Sequence, residues 1–186
     1  MSHDPALDAH EQHEHAEHAE HDPFVARVAI TVAFLAVLAA ATGSLETIED
    51  GRAITSESEA VLQQDRATDA WDEYQADSLK RHMYTIAADQ GGAQADKYRE
   101  TAKQQGDKQK DVKKQALDFE ADRDRLVHES QSHETRHHWL SGAATLLEIG
   151  IALSTVAIIT RRRFLWYGAM ALGAGGITLL GIAYLA

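Results

Sequence analysis

The sequence predicts an all-α chain: three transmembrane helices with a long extramembrane antiparallel helical hairpin of coiled-coil character. Three observations predict it. Phe24–Leu45, Trp139–Thr160 and Phe164–Ala186 are apolar stretches free of Pro and Cys. At about 1.5 Å per helical residue, each is long enough to cross a hydrocarbon core roughly 30 Å thick. The polar segment between the first two, Glu46–His138, shows almost no β-strand alternation. The only prolines are Pro5 and Pro23, so nothing from Phe24 onward forbids helix.

Residues 1–23 read as a low-complexity leader. His10, His13, His15, His18 and His21 alternate with Glu11, Glu14, Glu17 and Glu20. The segment carries seven carboxylates and no Lys or Arg, a composition that favours disorder or a marginal solvated helix. Neutral imidazoles with carboxylates also suit a divalent metal such as zinc, nickel or copper. The five histidines are therefore candidate ligands and a divalent metal the one candidate cofactor. His133, His137 and His138, with Glu134, form a second group before the second span. Asp22-Pro23 reads as an N-cap followed by Pro at the first helical position. The acidic leader and the length of the apolar run after it argue for a retained anchor, transmembrane helix 1 at 24–45, rather than a cleaved signal.

The middle segment, residues 46–138, holds 21 acids and 14 bases, and the whole chain has a formal net charge of −11. That balance excludes nucleic acid as a partner class, since phosphate binding needs a basic surface. Gly91-Gly92 is its only double glycine and splits it nearly in half, placing the hairpin turn there, with Gly106-Asp107 as the alternative. After the turn, Tyr98, Ala102, Gln105, Gln109, Val112, Ala116, Phe119, Arg123 and Leu126 keep a 4-3 spacing on one seam. Before it, Ala60, Ala67, Trp71 and Tyr74 share a face, and the pattern is expected to slip by one residue to Leu79, Met83 and Ile86.

Transmembrane helix 2 (139–160) and helix 3 (164–186) flank a basic turn, Arg161–Arg163. Lys and Arg in short loops stay cytoplasmic. The leader is then expected inside, the hairpin exported, and the last residues outside. Glu148 sits near the middle of span two, where a carboxylate is costly unless neutral or paired. It is expected either to be neutral against the Gly175-Gly176 surface, hydrogen-bonding Thr178 or a bared carbonyl, or to line a hydrated path. Gly168, Gly173, Gly175 and Gly176 let helices approach closely, within the chain or between copies.

The stretch from Ala67 to Tyr84 concentrates aromatic and polar side chains, with Trp71, Tyr74 and Gln75 sharing part of one helical face. Trp71, Tyr74, Gln75, Ala76, Ser78 and Lys80 resemble the W-x-x-Y-Q-A-K-S-x-K motif of the bacterial family catalogued as domain of unknown function 4337. Asp77 stands where that motif has its first Lys. The His/Glu-rich leader, one early span and two late spans resemble the family as well. The resemblance implies a small multi-pass protein of the bacterial inner membrane. It brings no established activity and no catalytic residue.

The functional expectation is a non-enzymatic, oligomeric scaffold or interaction protein. Its hairpin would make contact through Trp71, Tyr74, Gln75, Ser78 and Lys80. Its partners would be the lipid bilayer and either further copies of itself or another membrane protein. The alternatives are a small pore or transport subunit using Glu148, and divalent-metal binding by the leader. No nucleophile–base pair, phosphate loop or spaced ligand motif points to an enzyme.

Overall fold

A computed structural model describes residues 23–185. They form three helices, α1 (Pro23–Asp89), α2 (Ala95–Thr160) and α3 (Arg163–Ala183), and no strand occurs among the described residues. All three are long and apolar enough to cross a membrane. The leader histidines His10, His13, His15, His18 and His21, and Asp22 of the expected N-cap, lie outside the described residues. Two breaks separate the helices. At the first, Gly91 and Gly92 adopt φ of 76° and 103°, left-handed values that only glycine takes without strain. Gly106-Asp107, the alternative turn, lies inside α2. At the second, Arg161 closes α2 with φ 52°, a left-handed helix end in a position that glycine usually fills.

The chain divides into two compact units. Residues 23–49 and 135–185 form one, and residues 50–134 the other.

In the first unit, most buried positions recur at 3, 4 or 7 residues, the spacing of a left-handed supercoiled seam. On α1 they are Val28, Leu35, Thr42 and Glu49; on α2, Leu140, Ala143, Leu147, Ser154 and Ala157; on α3, Ala169, Gly173, Gly176 and Ala183. Bulk on one helix meets glycine on another. A Cβ at Gly168 would come within 3.2 Å of Leu153, one at Gly175 within 3.4 Å of Leu146, and one at Gly176 within 2.9 Å of Leu147. Side-chain links tie α1 to the other helices, two of them as follows. Trp166 Nε1 donates to Thr31 Oγ1 at 3.1 Å, beside an edge-to-face contact with Phe24 at 6.0 Å. The Ser141 hydroxyl donates to the Glu46 carboxylate.

In the second unit, contacts between α1 and α2 run in opposite sequence order. Ser130 bonds the Ala53 carbonyl, Arg123 bonds Gln64, Trp71 bonds Glu120, Arg81 bonds Gln109, and the Tyr84 and Tyr98 rings lie 6.1 Å apart. The seam is thin. Ala70, Val112 and Ala116 are its packed centre, flanked by Trp71, Tyr74 and Phe119. The expected one-residue slip on α1 does not occur. The buried positions continue in register through Ala67, Ala70, Asp77 and Ala88, and Leu79, Met83 and Ile86 face outward, 60–64% exposed. An apolar pattern alone places those three inside. Register is kept because Asp77 takes the buried position with its own cations.

Candidate contact site around Trp71 and Asp77

Asp77 is fully buried, one of six buried polar or charged residues among those described. Helical spacing puts it two turns after Ala70 on the same face. Lys80, one turn on, reaches Asp77 Oδ1 at 3.0 Å, and Lys108 of α2 reaches Oδ2 at 3.2 Å. Lys108 also pairs with Glu73 at 2.6 Å. The hydrogen bond from Lys80, joined by those from Lys108, holds the Asp77 carboxyl below the ordinary aspartate range against the opposing pull of burial. Hydrogen bonds to Glu73 and Asp77 raise Lys108 in turn. Both lysines are half exposed, so solvent screens the cluster and its net stabilisation is modest. Its stronger effect is on register. A covered carboxylate moved out of reach of its lysines would be an unpaired buried charge.

Nearly two turns before it, Trp71 Nε1 donates to Glu120 Oε1 at 2.9 Å, and the Trp71 and Tyr74 rings meet edge to face at 5.5 Å. Such pairs add to the area they bury. Gln109 Nε2 donates to the Tyr74 carbonyl at 3.5 Å, and its side-chain oxygen accepts from Arg81 at 3.2 Å. Of the expected contact residues, Trp71, Tyr74 and Ser78 are half-buried, while Gln75 and Lys80 are exposed. Trp71, Tyr74 and Lys80 thus belong to the internal seam as much as to a surface. Asp77, Glu120, Lys108 and Gln109 complete the site; sequence marked Asp77 only as a departure from the motif and did not single out Glu120 or Lys108. Their signal was present in part, since Gln109 lies on the 4-3 seam.

The other expected site residues fall elsewhere. Gly168, Gly173, Gly175 and Gly176 all face neighbouring helices of the first unit. Gly150, unmarked by sequence, makes an equally close approach, with a Cβ there 3.2 Å from the Ala169 carbonyl oxygen. Glu148 is exposed, and the Gly175-Gly176 surface receives Leu146 and Leu147 instead. The reason is angular. Glu148 follows Leu147 by about 100° on the helix, which turns it off the packed face. The Thr178 hydroxyl donates to its own Ala174 carbonyl at 2.8 Å rather than pairing with Glu148. Among the described residues no three His, Asp or Glu side chains converge to hold a metal ion. His137 is half-buried, its Nδ1 without a hydrogen-bond partner.

Three long helices apolar enough to cross a membrane, joined to a polar paired-helix unit carrying the Trp71–Asp77 cluster, define a helical protein of membrane type. The chain belongs to the family described as Domain of unknown function (DUF4337), whose model matches residues 24–186. No curated protein and no solved structure gives a significant match.

Proposed function

We propose that this protein is a membrane-anchored, non-enzymatic scaffold that assembles with copies of itself. Residues 24–45, 139–160 and 164–186 cross the bacterial inner membrane, and residues 46–138 form the exported hairpin, turning at 91–92. Arg161–Arg163 supports a cytoplasmic leader by the distribution of bases in short loops.

One observation carries the reading. Leu79, Met83 and Ile86 form a 4-3 apolar stripe on α1, 64%, 62% and 60% exposed, while the seam beneath is filled mainly by alanine. A two-helix unit with so thin a core gains by covering that stripe. Two copies inserted in one membrane present the same residues at the same height, so the stripe meets its like. The chain has no Cys, so Met83→Cys in the full chain gives a clean oxidative crosslink. A disulfide-linked dimer is expected at Met83→Cys and not at Asp118→Cys on the exposed face of α2. Equal crosslinking at both sites, or at neither, would contradict the reading. A transport path through one copy gains no support, because Glu148 faces away from the packed interior of its unit.

A further inference from the structure

The outward face of α2 in the first unit differs from those of α1 and α3. On α1 the outward residues are Ile30, Phe34 and Val37, 58–71% exposed, all suited to acyl chains. On α3, Met170 and Ile177 face outward, and the Thr178 hydroxyl is spent on its own helix. On α2, Thr145, Glu148, Ala152 and Thr155 are all exposed and follow one another at 3, 4 and 3 residues. That is a second seam, on the side away from Ala143, Leu147 and Ser154. Three of its four residues are polar, in a face that also exposes Ile149, Val156 and Ile159. Ionisable groups at such depth face protein or water, not acyl chains.

The groups on this seam are restricted in what they can offer. Thr145 and Thr155 donate to the carbonyls of Ser141 and Ile151 at 2.9 and 3.1 Å, so each hydroxyl retains acceptor capacity only. Glu148 makes no hydrogen bond or ion pair among the described residues. Among Asp, Glu, Lys and Arg, the apolar stretches hold one other side chain, Arg27. It lies near Phe24 and Thr31, which pack on Trp166, roughly 10–15 Å from the level of Glu148 by rise per residue. No cation of this chain can serve it.

We infer that this α2 face is a helix–helix seam with a second copy of the chain, in which the two Glu148 carboxyls pair with each other. Copies inserted in the same orientation place Glu148 opposite Glu148 at one depth. Neutral carboxyls are self-complementary: each donates one O–H and accepts one. Ala152, one turn on, is small enough to let the two helices approach. The inference rests on α2 crossing a bilayer and names the partner of its outward face.

The test uses the full chain in lipid vesicles with single cysteines at Ala152→Cys on the seam, Phe34→Cys on α1 and Ala174→Cys on α3. Oxidation is expected to link copies through position 152 and not through 34 or 174. Adding Glu148→Ala is expected to weaken the linked fraction roughly tenfold, and Glu148→Gln, whose amides pair in the same way, to retain it. Linking through 34 or 174 instead, no linking, or linking at 152 indifferent to Glu148→Ala would each overturn the inference. Retention in the membrane after carbonate extraction and an intact Met83→Cys crosslink would show that only this seam, and not the anchored scaffold, had failed.

Discussion

Leu35 of α1 occupies the space that a side chain at Gly173 of α3 would need: a Cβ there would lie 2.6 Å from Leu35 Cδ2. In lipid, helices gain little from excluding water, so this kind of close fit supplies much of the association. The glycines of the first unit are therefore unequal, and their neighbours rank them.

At Gly176 a methyl group meets Leu147 Cγ at 2.9 Å and the Ala143 carbonyl oxygen at 3.1 Å. Backbone cannot rotate away, so Gly176→Ala should destabilise most, by about 1–3 kcal/mol, the usual range for overpacking. Gly173→Ala meets only the movable end of Leu35 and should cost less. Gly181 has nothing within 4 Å, and Gly181→Ala should be neutral or slightly favourable through helix propensity. Denaturant titration of the full chain in mixed micelles measures the order.

Asp77 gives the second unit an acid-sensitive contact. Its carboxyl is held below the ordinary value of 3.8, chiefly by the hydrogen bond from Lys80. A lowered folded value means that the stabilisation is fully present above the ordinary value and is lost as pH falls through the folded one. Lys108, raised above 10.5, loses its contribution at the alkaline end as pH rises through its folded value. Asp77→Asn should lower the melting midpoint at neutral pH and flatten the loss as pH falls below 3.8. Helix content followed by circular dichroism over that range is the check.

Trp71 separates packing from hydrogen bonding. Trp71→Phe keeps a ring against Tyr74 and loses the bond to Glu120, an expected cost of about 1 kcal/mol. Trp71→Ala also removes half-buried aromatic area and should cost roughly 2–3 kcal/mol, below the range for a fully buried ring. Equal effects in thermal melts would mean that the ring contributes no packing.

Helix was legible at almost every described position, because Pro is absent after residue 23 and apolar length decides the rest. The 4-3 seam from Tyr98 to Leu126 was legible for the same reason, since all nine of its residues are buried or half-buried. The α1 seam was legible only as far as Tyr74. Beyond it the register depends on Asp77, and a charged residue reads as surface until its two lysines are known, one of them 31 positions away on another helix. The face of Glu148 was illegible on similar grounds. Depth along a helix follows from counting, but rotation about its axis is set by which neighbours pack against it. Gly150 escaped notice because its stretch holds only one other glycine, Gly142, eight residues away, whereas those of α3 cluster.

The proposed topology rests on the Arg161–Arg163 turn. A reporter active only after export should work when fused at Gly92 and fail when fused at Arg162. The reverse pattern would invert the orientation and leave the helices as they are.

Self-assembly is the central claim, and the mass of the full chain in detergent micelles tests it most directly. Light scattering with the detergent contribution subtracted should give a whole-number multiple of the chain mass, two or more. The multiple should fall when Leu79, Met83 and Ile86 are replaced together by Gln. A single-chain mass at every protein concentration, in detergents that keep the helices folded, would contradict it.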